Sequence, residues 1–283
     1  MTGRLGLYDA VADETASIVI RRYSTSFGLA SRLLDGPTRR HIENIYALVR
    51  VADEIVDGPA TDAGLDTLAA GRQLNELERE TERALASGFS ANLVVHAFAR
   101  SARATGFGSE LTAPFFASMR ADLTETVHTP ESFATYVYGS AEVVGLMCLR
   151  AFLVKTPERY DELVPGARAL GAAFQKVNFL RDLAADFDTL GRSYFPGVDV
   201  ENFDEETKVR LVDDIDADLA LAASVIPRLP GGSRRAVALA CGLFGELNRR
   251  LRATPAATLR TTRIRVPDPV KLRIAAGAWV GRS

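Results

Sequence analysis

The sequence predicts an all-α protein built as one domain. Two observations carry that expectation. Apolar residues recur at three- and four-residue spacing along nearly the whole chain, and no segment alternates apolar and polar residues as a half-buried strand would. The breaks between periodic stretches are short and made of helix-ending residues, with no long or low-complexity linker. At 283 residues the chain exceeds the usual single-domain size, yet one large helical domain over 1–283 accommodates it.

In chain order, periodicity places helices at 8–24, 37–56, 65–87, 91–105, 109–126, 130–153, 158–189, 205–229 and 233–253, with a short closing helix near 269–279. Asp57-Gly58-Pro59 ends the second. Thr129 before Pro130 offers an N-cap and a proline at the first helical position, and Thr156-Pro157 repeats the pattern. Gly191–Gly197 and Leu229–Ser233 are turn-rich interruptions.

Composition is that of a globular protein, 47% hydrophobic and 25% charged. The formal net charge of −2 gives no global electrostatic case for nucleic acid as a partner. Charge is uneven, however. Asp199–Asp218 holds nine acids against Lys208 and Arg210, and Arg228–Ser283 holds twelve basic residues against Glu246 and Asp268. A basic C-terminal third suits a diphosphate or a peripheral contact with anionic lipid, and equally a pairing with the acidic segment. No membrane-spanning stretch and no basic-then-apolar leader are expected, so the location read from the sequence is cytoplasmic. Cys148 and Cys241 lie in apolar helical stretches and read as buried free thiols. His41, His96 and His128 share no metal-ligand spacing and read as solvent or cap residues.

One pattern asks for chemistry. Arg50-x-x-Asp53-x-x-x-Asp57 and Arg181-Asp182-x-x-x-Asp186 write the same acidic pair twice, each behind an arginine and each inside an apolar helix. Residues four apart share a helix face, so each pair projects together. Carboxylates gathered in an apolar setting repel and are costly to bury, and divalent cations compensate them. Magnesium takes oxygen ligands and binds through one or two carboxylates plus substrate phosphates. Two such helices facing one another would make a clamp for a diphosphate leaving group, with Arg50 and Arg181 gripping phosphate oxygens. The chemistry that needs this is ionisation of an allylic diphosphate, with a hydrocarbon tail among the apolar helix faces.

The wording around these pairs resembles the squalene/phytoene synthase family. The matching stretches are Tyr23-Ser-Thr-Ser-Phe27, Ile45-Tyr-Ala-Leu-Val-Arg-Val-Ala-Asp-Glu-Ile-Val-Asp57, Tyr136-Val-Tyr-Gly-Ser-Ala-Glu-Val-Val-Gly145, Gln175-Lys-Val-Asn-Phe-Leu-Arg-Asp-Leu-Ala-Ala-Asp186 and Gly191-Arg-Ser-Tyr-Phe-Pro196. They run in order over roughly two thirds of the chain. The resemblance implies an all-α isoprenoid-synthase bundle around a central cavity. It implies a head-to-head (1′–1) condensation of two prenyl diphosphates through a cyclopropylcarbinyl diphosphate. It gives Asp53, Asp57, Asp182 and Asp186 to Mg²⁺–diphosphate (Mn²⁺ being an acceptable substitute), and Arg50 and Arg181 to diphosphate oxygens. Ser24, Ser26, Gln175, Asn178, Arg192 and Tyr194 become further polar contacts, and Tyr136 lies near the reacting carbons. Tyr23 replaces a histidine of several relatives, and Glu142 replaces a frequent glycine, which leaves open whether it narrows the cavity or faces outward.

The expected reaction joins two geranylgeranyl diphosphates and ends in proton loss without NADPH, in carotenoid formation. The Tyr-Gly-Ser-Ala-x-x-Val-Gly wording and the lack of a spanning tail before Ser283 lean that way. The alternative is a squalene or dehydrosqualene synthase using two farnesyl diphosphates. A non-catalytic binding or assembly relative, a head-to-tail prenyltransferase and a terpene cyclase are weaker rivals, because the full acidic wording is present. Oligomeric state is not legible.

Overall fold

The computed structural model describes residues 3–56, 58–190 and 193–280; the side chains of 185, 186, 188–190, 279 and 280 lie outside the described part. Asp57 and Arg192 therefore fall outside the described residues, and Asp186 is described by its backbone alone.

The helices are α1 (Arg4–Tyr23), α2 (Thr25–Ser31), α3 (Gly36–Val56), α4 (Pro59–Asp62), α5 (Thr67–Ser87), α6 (Leu93–Thr105), α7 (Ser109–Ala121), α8 (Pro130–Val137), α9 (Val143–Phe152), α10 (Tyr160–Leu190), α11 (Glu205–Val225), α12 (Gly231–Ala253), α13 (Ala256–Leu259) and α14 (Asp268–Val280). Among the described residues the sole β pairing is an isolated bridge between Val127 and Ser193.

Side chains fix several of the helix starts. Ser24, Asp66, Asn92, Thr129 and Asp204 each accept a hydrogen bond from the first turn of the helix they open. Thr129 and Ser132 cap each other's backbone in a reciprocal box. Gly88 and Gly106 end α5 and α6 with φ of 81° and 77°, the left-handed conformation that costs glycine least.

Three expectations are corrected. The helix expected over 109–126 stops at Ala121, where the chain turns so that Thr126 can accept from Ser193 N–H. The stretch expected as one helix over 130–153 carries a π turn at Tyr138–Glu142 between α8 and α9. The cause is a close crossing. A Cβ on Gly139 would lie 2.1 Å from Ser118 Oγ and 2.3 Å from Pro114 O, and one on Gly171 would lie 2.6 Å from Ala141 O. The backbones approach too tightly for side chains, and the extra residue accommodates the approach. Third, the helical run Pro130–Phe152 is long and apolar enough to cross a membrane by length and composition, with mean hydropathy 1.2, contrary to the expectation that no stretch would be. Its apolar faces are instead used inside the bundle, against α3, α7 and α10.

Among the described residues, two large apolar clusters make most of the core. One joins α1, α3, α5, α6, α7 and α9 around Phe98, Phe115 and Phe116. The other joins α10, α11 and α12 around Leu180, Ile215 and Leu251. The helices between them frame a cavity of about 850 Å³.

Candidate active site

Both acidic segments reach this one cavity. Arg50 and Asp53 line it from α3, and Arg181 and Asp182 line it from α10. Ser24 and Ser26 line it from the start of α2, Gln175 and Asn178 from α10, and Tyr136 and Tyr194 from the aromatic side. Thus ten of the thirteen residues singled out from the sequence converge; Asp57, Asp186 and Arg192 are the three whose side chains are not described.

The polar end is a set of carboxylate–guanidinium pairs. Arg50 Nη1 donates to Asp53 Oδ2 at 2.9 Å and its other terminal nitrogen pairs with Glu54. Arg50 also lies 4.6 Å over the Tyr23 ring. Burial opposes its charge, but Asp53 and Glu54 outweigh burial and hold its pKa above the ordinary arginine value. Its Nε is buried and has no hydrogen-bond partner among the described residues. Arg181 forks onto Asp182, with Nε 3.0 Å from Oδ1. A third cation, Arg263, arrives from the chain between α13 and α14, with Nε 2.7 Å from Asp182 Oδ1.

Three guanidiniums thus pair with Asp53, Glu54 and Asp182 around the cavity, so an added polyanion would find cations already in place. Among the described residues no three His, Cys, Asp or Glu side chains gather closely enough to hold a metal alone. Each described half of the two motifs offers one hard carboxylate to the cavity, which fits a magnesium ion whose remaining ligands are phosphate oxygens and water.

The remainder of the cavity is apolar. Phe27, Phe174 and Phe244 form a packed trio, with Phe174 and Phe244 stacked at 3.9 Å. The walls continue past Val144 and Cys148 to Phe152, Leu163 and Leu229. Phe133 packs on Phe179 and Phe195 and is core, while Phe27, Phe152, Phe174 and Phe179 face the cavity. Burial pushes the Cys148 thiol up to about 12 and Cys241 up to about 11, and both are free.

Beside the acidic end, Tyr136 donates to Asp122 Oδ1 at 2.7 Å, and both residues are buried. Tyr194 stacks on Phe179 at 3.9 Å and lies 5.6 Å from the Tyr136 ring. His128 packs 5.0 Å from Tyr136 and 6.0 Å from Tyr194. His96 is also buried, with Nε2 2.8 Å from Asp9 Oδ1. The expectation of solvent or cap positions is thus corrected for both: each ring has a polar partner that permits burial. Glu142 turns away from the cavity, largely covered and 2.5 Å from Arg168 Nε, and is not part of the cavity wall. Ser24 both lines the cavity and caps α2, accepting from Phe27 N–H at 3.1 Å. Lys271 pairs with Asp268 at the surface.

Sequence reasoning missed Asp122, Glu54, His128 and, as an individual residue, Arg263. Glu54 was legible, since it stands four residues after Arg50 on the same helix. Asp122 and Arg263 had no local signal, because their partners stand 14 and 81 residues away.

An all-α bundle whose largely apolar cavity is lined by arginine-held aspartates from two helices defines a prenyltransferase-type enzyme acting on diphosphate esters. The chain belongs to the squalene/phytoene synthase family, whose profile matches residues 20–269. It is 28% identical to a 15-cis-phytoene synthase from Enterobacter agglomerans over 89% of this chain and 90% of that protein. It is 28% identical to a 4,4'-diapophytoene synthase from Staphylococcus haemolyticus over 71% of this chain and 66% of that protein. The crystal structure of a dehydrosqualene synthase in complex with ligand superposes with a TM-score of 0.78 at 20% identity, covering 96% of this chain and 97% of the other. Members of this family act on prenyl diphosphates and use a divalent metal.

Proposed function

We propose that the protein is a phytoene synthase. Two geranylgeranyl diphosphates would condense head to head, releasing two diphosphates and two protons, to give a C40 hydrocarbon on the way to carotenoids. The observation that carries this reading is that Arg50–Asp53 and Arg181–Asp182–Arg263 line one cavity of about 850 Å³ whose wall is otherwise largely apolar. The relative from Enterobacter agglomerans, matched over nearly its full length, is named for this product.

In this reading Asp53 and Asp182, with Asp57 and Asp186, would hold Mg²⁺, whose charge would stabilise a diphosphate leaving group. Arg50, Arg181 and Arg263 bind its oxygens and keep it from returning to the carbon it leaves. Ser24, Ser26, Gln175, Asn178 and Arg192 orient the diphosphates. The first carbocation is captured by the double bond of the second substrate, and loss of a proton closes a cyclopropane. The second diphosphate then leaves, the skeleton rearranges, and a second proton is lost. The Phe27, Phe174 and Phe244 faces stabilise cations and exclude water. Tyr136, which lines the cavity and donates its hydroxyl to Asp122, would lie near the reacting carbons in this reading.

The test is incubation of the purified protein with Mg²⁺ and either geranylgeranyl or farnesyl diphosphate, with and without NADPH, followed by mass analysis of the extract. A C40 product from geranylgeranyl diphosphate, indifferent to NADPH, is expected. A C30 product alone moves the assignment to the farnesyl reading, which the diapophytoene synthase relative favours. No hydrocarbon from either overturns both.

A further inference from the structure

Part of the basic C-terminal third is taken up by ion pairs, while Arg235, Arg260, Arg265 and Arg273 stay exposed. Arg252 pairs with Asp213 and Asp216 on the acidic helix α11, Arg249 and Arg250 pair with Glu246, and Arg228 pairs with Glu162. A cationic surface with a line of apolar residues standing out of it is found on α1. The buried side of that helix is made by Ala12, Ala16 and Ile20, which seat it on α3 and α6. On the opposite side Leu7, Val11 and Ile18 are 66%, 42% and 47% exposed. Their spacing of four and seven residues puts them in one line about 16 Å long. Arg4, Arg21 and Arg22 flank that line and are exposed, with Glu14 the acid on the same face.

The place of this line matters. The C-terminal end of α1 runs into the cavity: Ile20, Tyr23 and Ser24 line it, and Tyr23 is half exposed while lying under Arg50. The apolar line therefore leads along the surface to the end of the cavity that holds Arg50.

We propose that the outer face of α1 docks the protein on an anionic lipid bilayer, with Leu7, Val11 and Ile18 entering the headgroup–acyl boundary and Arg4, Arg21 and Arg22 meeting lipid phosphates. Charge complementarity selects this occupant. An apolar line bordered by three arginines and one glutamate matches a surface that is negative outside and hydrocarbon beneath. A second copy of the chain would set the arginines of one α1 against those of the other, where like charges repel. Docked this way, α1 sits flat on the bilayer and the cavity end opens beside it. The further step, passage of prenyl tails between bilayer and cavity, rests on the reaction proposed above; the docking itself does not.

The experiment is sedimentation of the full chain with vesicles of phosphatidylglycerol and phosphatidylcholine in equal parts, and with phosphatidylcholine alone, at low and moderate salt. The wild type is expected in the pellet with the anionic vesicles and largely in the supernatant with the neutral ones. The variant Leu7→Ser/Val11→Ser/Ile18→Ser and the variant Arg21→Glu/Arg22→Glu should each weaken partitioning by about tenfold or more, with unchanged circular dichroism because every altered side chain is exposed. Wild-type binding by both variants, or no binding of the wild type to anionic vesicles at low salt, overturns the proposal. So does a wild-type dimer that the triple serine variant converts to monomer, since the face would then be covered by a second chain. None of these readouts uses turnover, so failure of docking and failure of the proposed reaction are separable.

Discussion

Arg263 closes on Asp182 from 81 residues away, its Nε 2.7 Å from Oδ1 and its Nη2 3.2 Å from Oδ2. This fork ties the segment between α13 and α14 to the acidic end of the cavity, and it makes Asp182 a carboxylate shared by two guanidiniums. Arg263→Ala should lower kcat/KM for the allylic diphosphate by roughly 10- to 100-fold, with Arg263→Lys recovering part of it, since a point charge replaces a planar fork. Steady-state release of diphosphate measures this, and wild-type kinetics in the alanine variant would remove Arg263 from the site.

Asp53→Ala and Asp182→Ala should each reduce turnover by about a thousandfold or more, since each removes a carboxylate placed to hold the metal. The fold should persist, because both carboxylates lie at the cavity wall rather than in the packed core. Product formation and a thermal melt on the same preparations check the two halves. Near-normal rates in either variant would sink the two-clamp reading.

Tyr136→Phe removes one donor from the buried Asp122 carboxylate. Stability should fall by about 1–3 kcal/mol, the usual effect of taking a partner from a buried polar group. Turnover should fall further than stability accounts for if the phenol acts on the reacting carbons. An Asp122→Asn variant separates the roles: it keeps a hydrogen-bonding partner of similar shape, so a large loss of rate with little change in melting marks Asp122 as setting the phenol's position.

Gly139→Ala should be among the most damaging small changes in the molecule. The new methyl would stand 2.1 Å from Ser118 Oγ and 2.3 Å from Pro114 O, and the latter is backbone that cannot step aside. A loss of about 2–4 kcal/mol, or failure to fold, is expected, against little effect for Gly245→Ala, where nothing lies within 4 Å. Urea unfolding of the two variants compares them directly.

Two imidazoles give stability a defined pH dependence. Burial first, then Arg40, holds His41 below its ordinary pKa; burial holds His128 below its own against the opposing pull of Glu125. The unfolded chain therefore binds protons at these sites more readily than the folded one. Between the folded values and about 6.5, stability must rise with pH, so it is fully present above about 6.5 and is lost as pH falls below it. Glu43, raised mainly by burial, runs the other way: what it contributes in acid is lost as pH climbs through its folded value, above about 4.3. Melting temperatures should drop as pH is lowered from about 7 toward 6, and His41→Gln should flatten that slope. An unchanged slope in this variant would remove His41 as a source.

What the sequence by itself determined is everything local. Helical periodicity, the Thr129–Pro130 cap and the spacing of Asp53 and Asp182 behind their arginines depend on residues within a turn or two, so they were legible before any fold was known. The resemblance extended that reading to Tyr136, Gln175 and Asn178, which do line the cavity. What only the tertiary structure decided depends on partners distant in the chain. The π turn exists because Gly139 meets Pro114 and Gly171 meets Ala141. Glu142 turns away from the cavity because Arg168 stands one helix away. Asp122 is kept buried by a tyrosine on another helix, and of the C-terminal arginines Arg252 pairs with α11 while Arg263 reaches Asp182. A carboxylate or guanidinium finds its lowest free energy beside whatever opposite charge or donor the packing delivers, and that choice is made by the assembled helices rather than by neighbours in sequence.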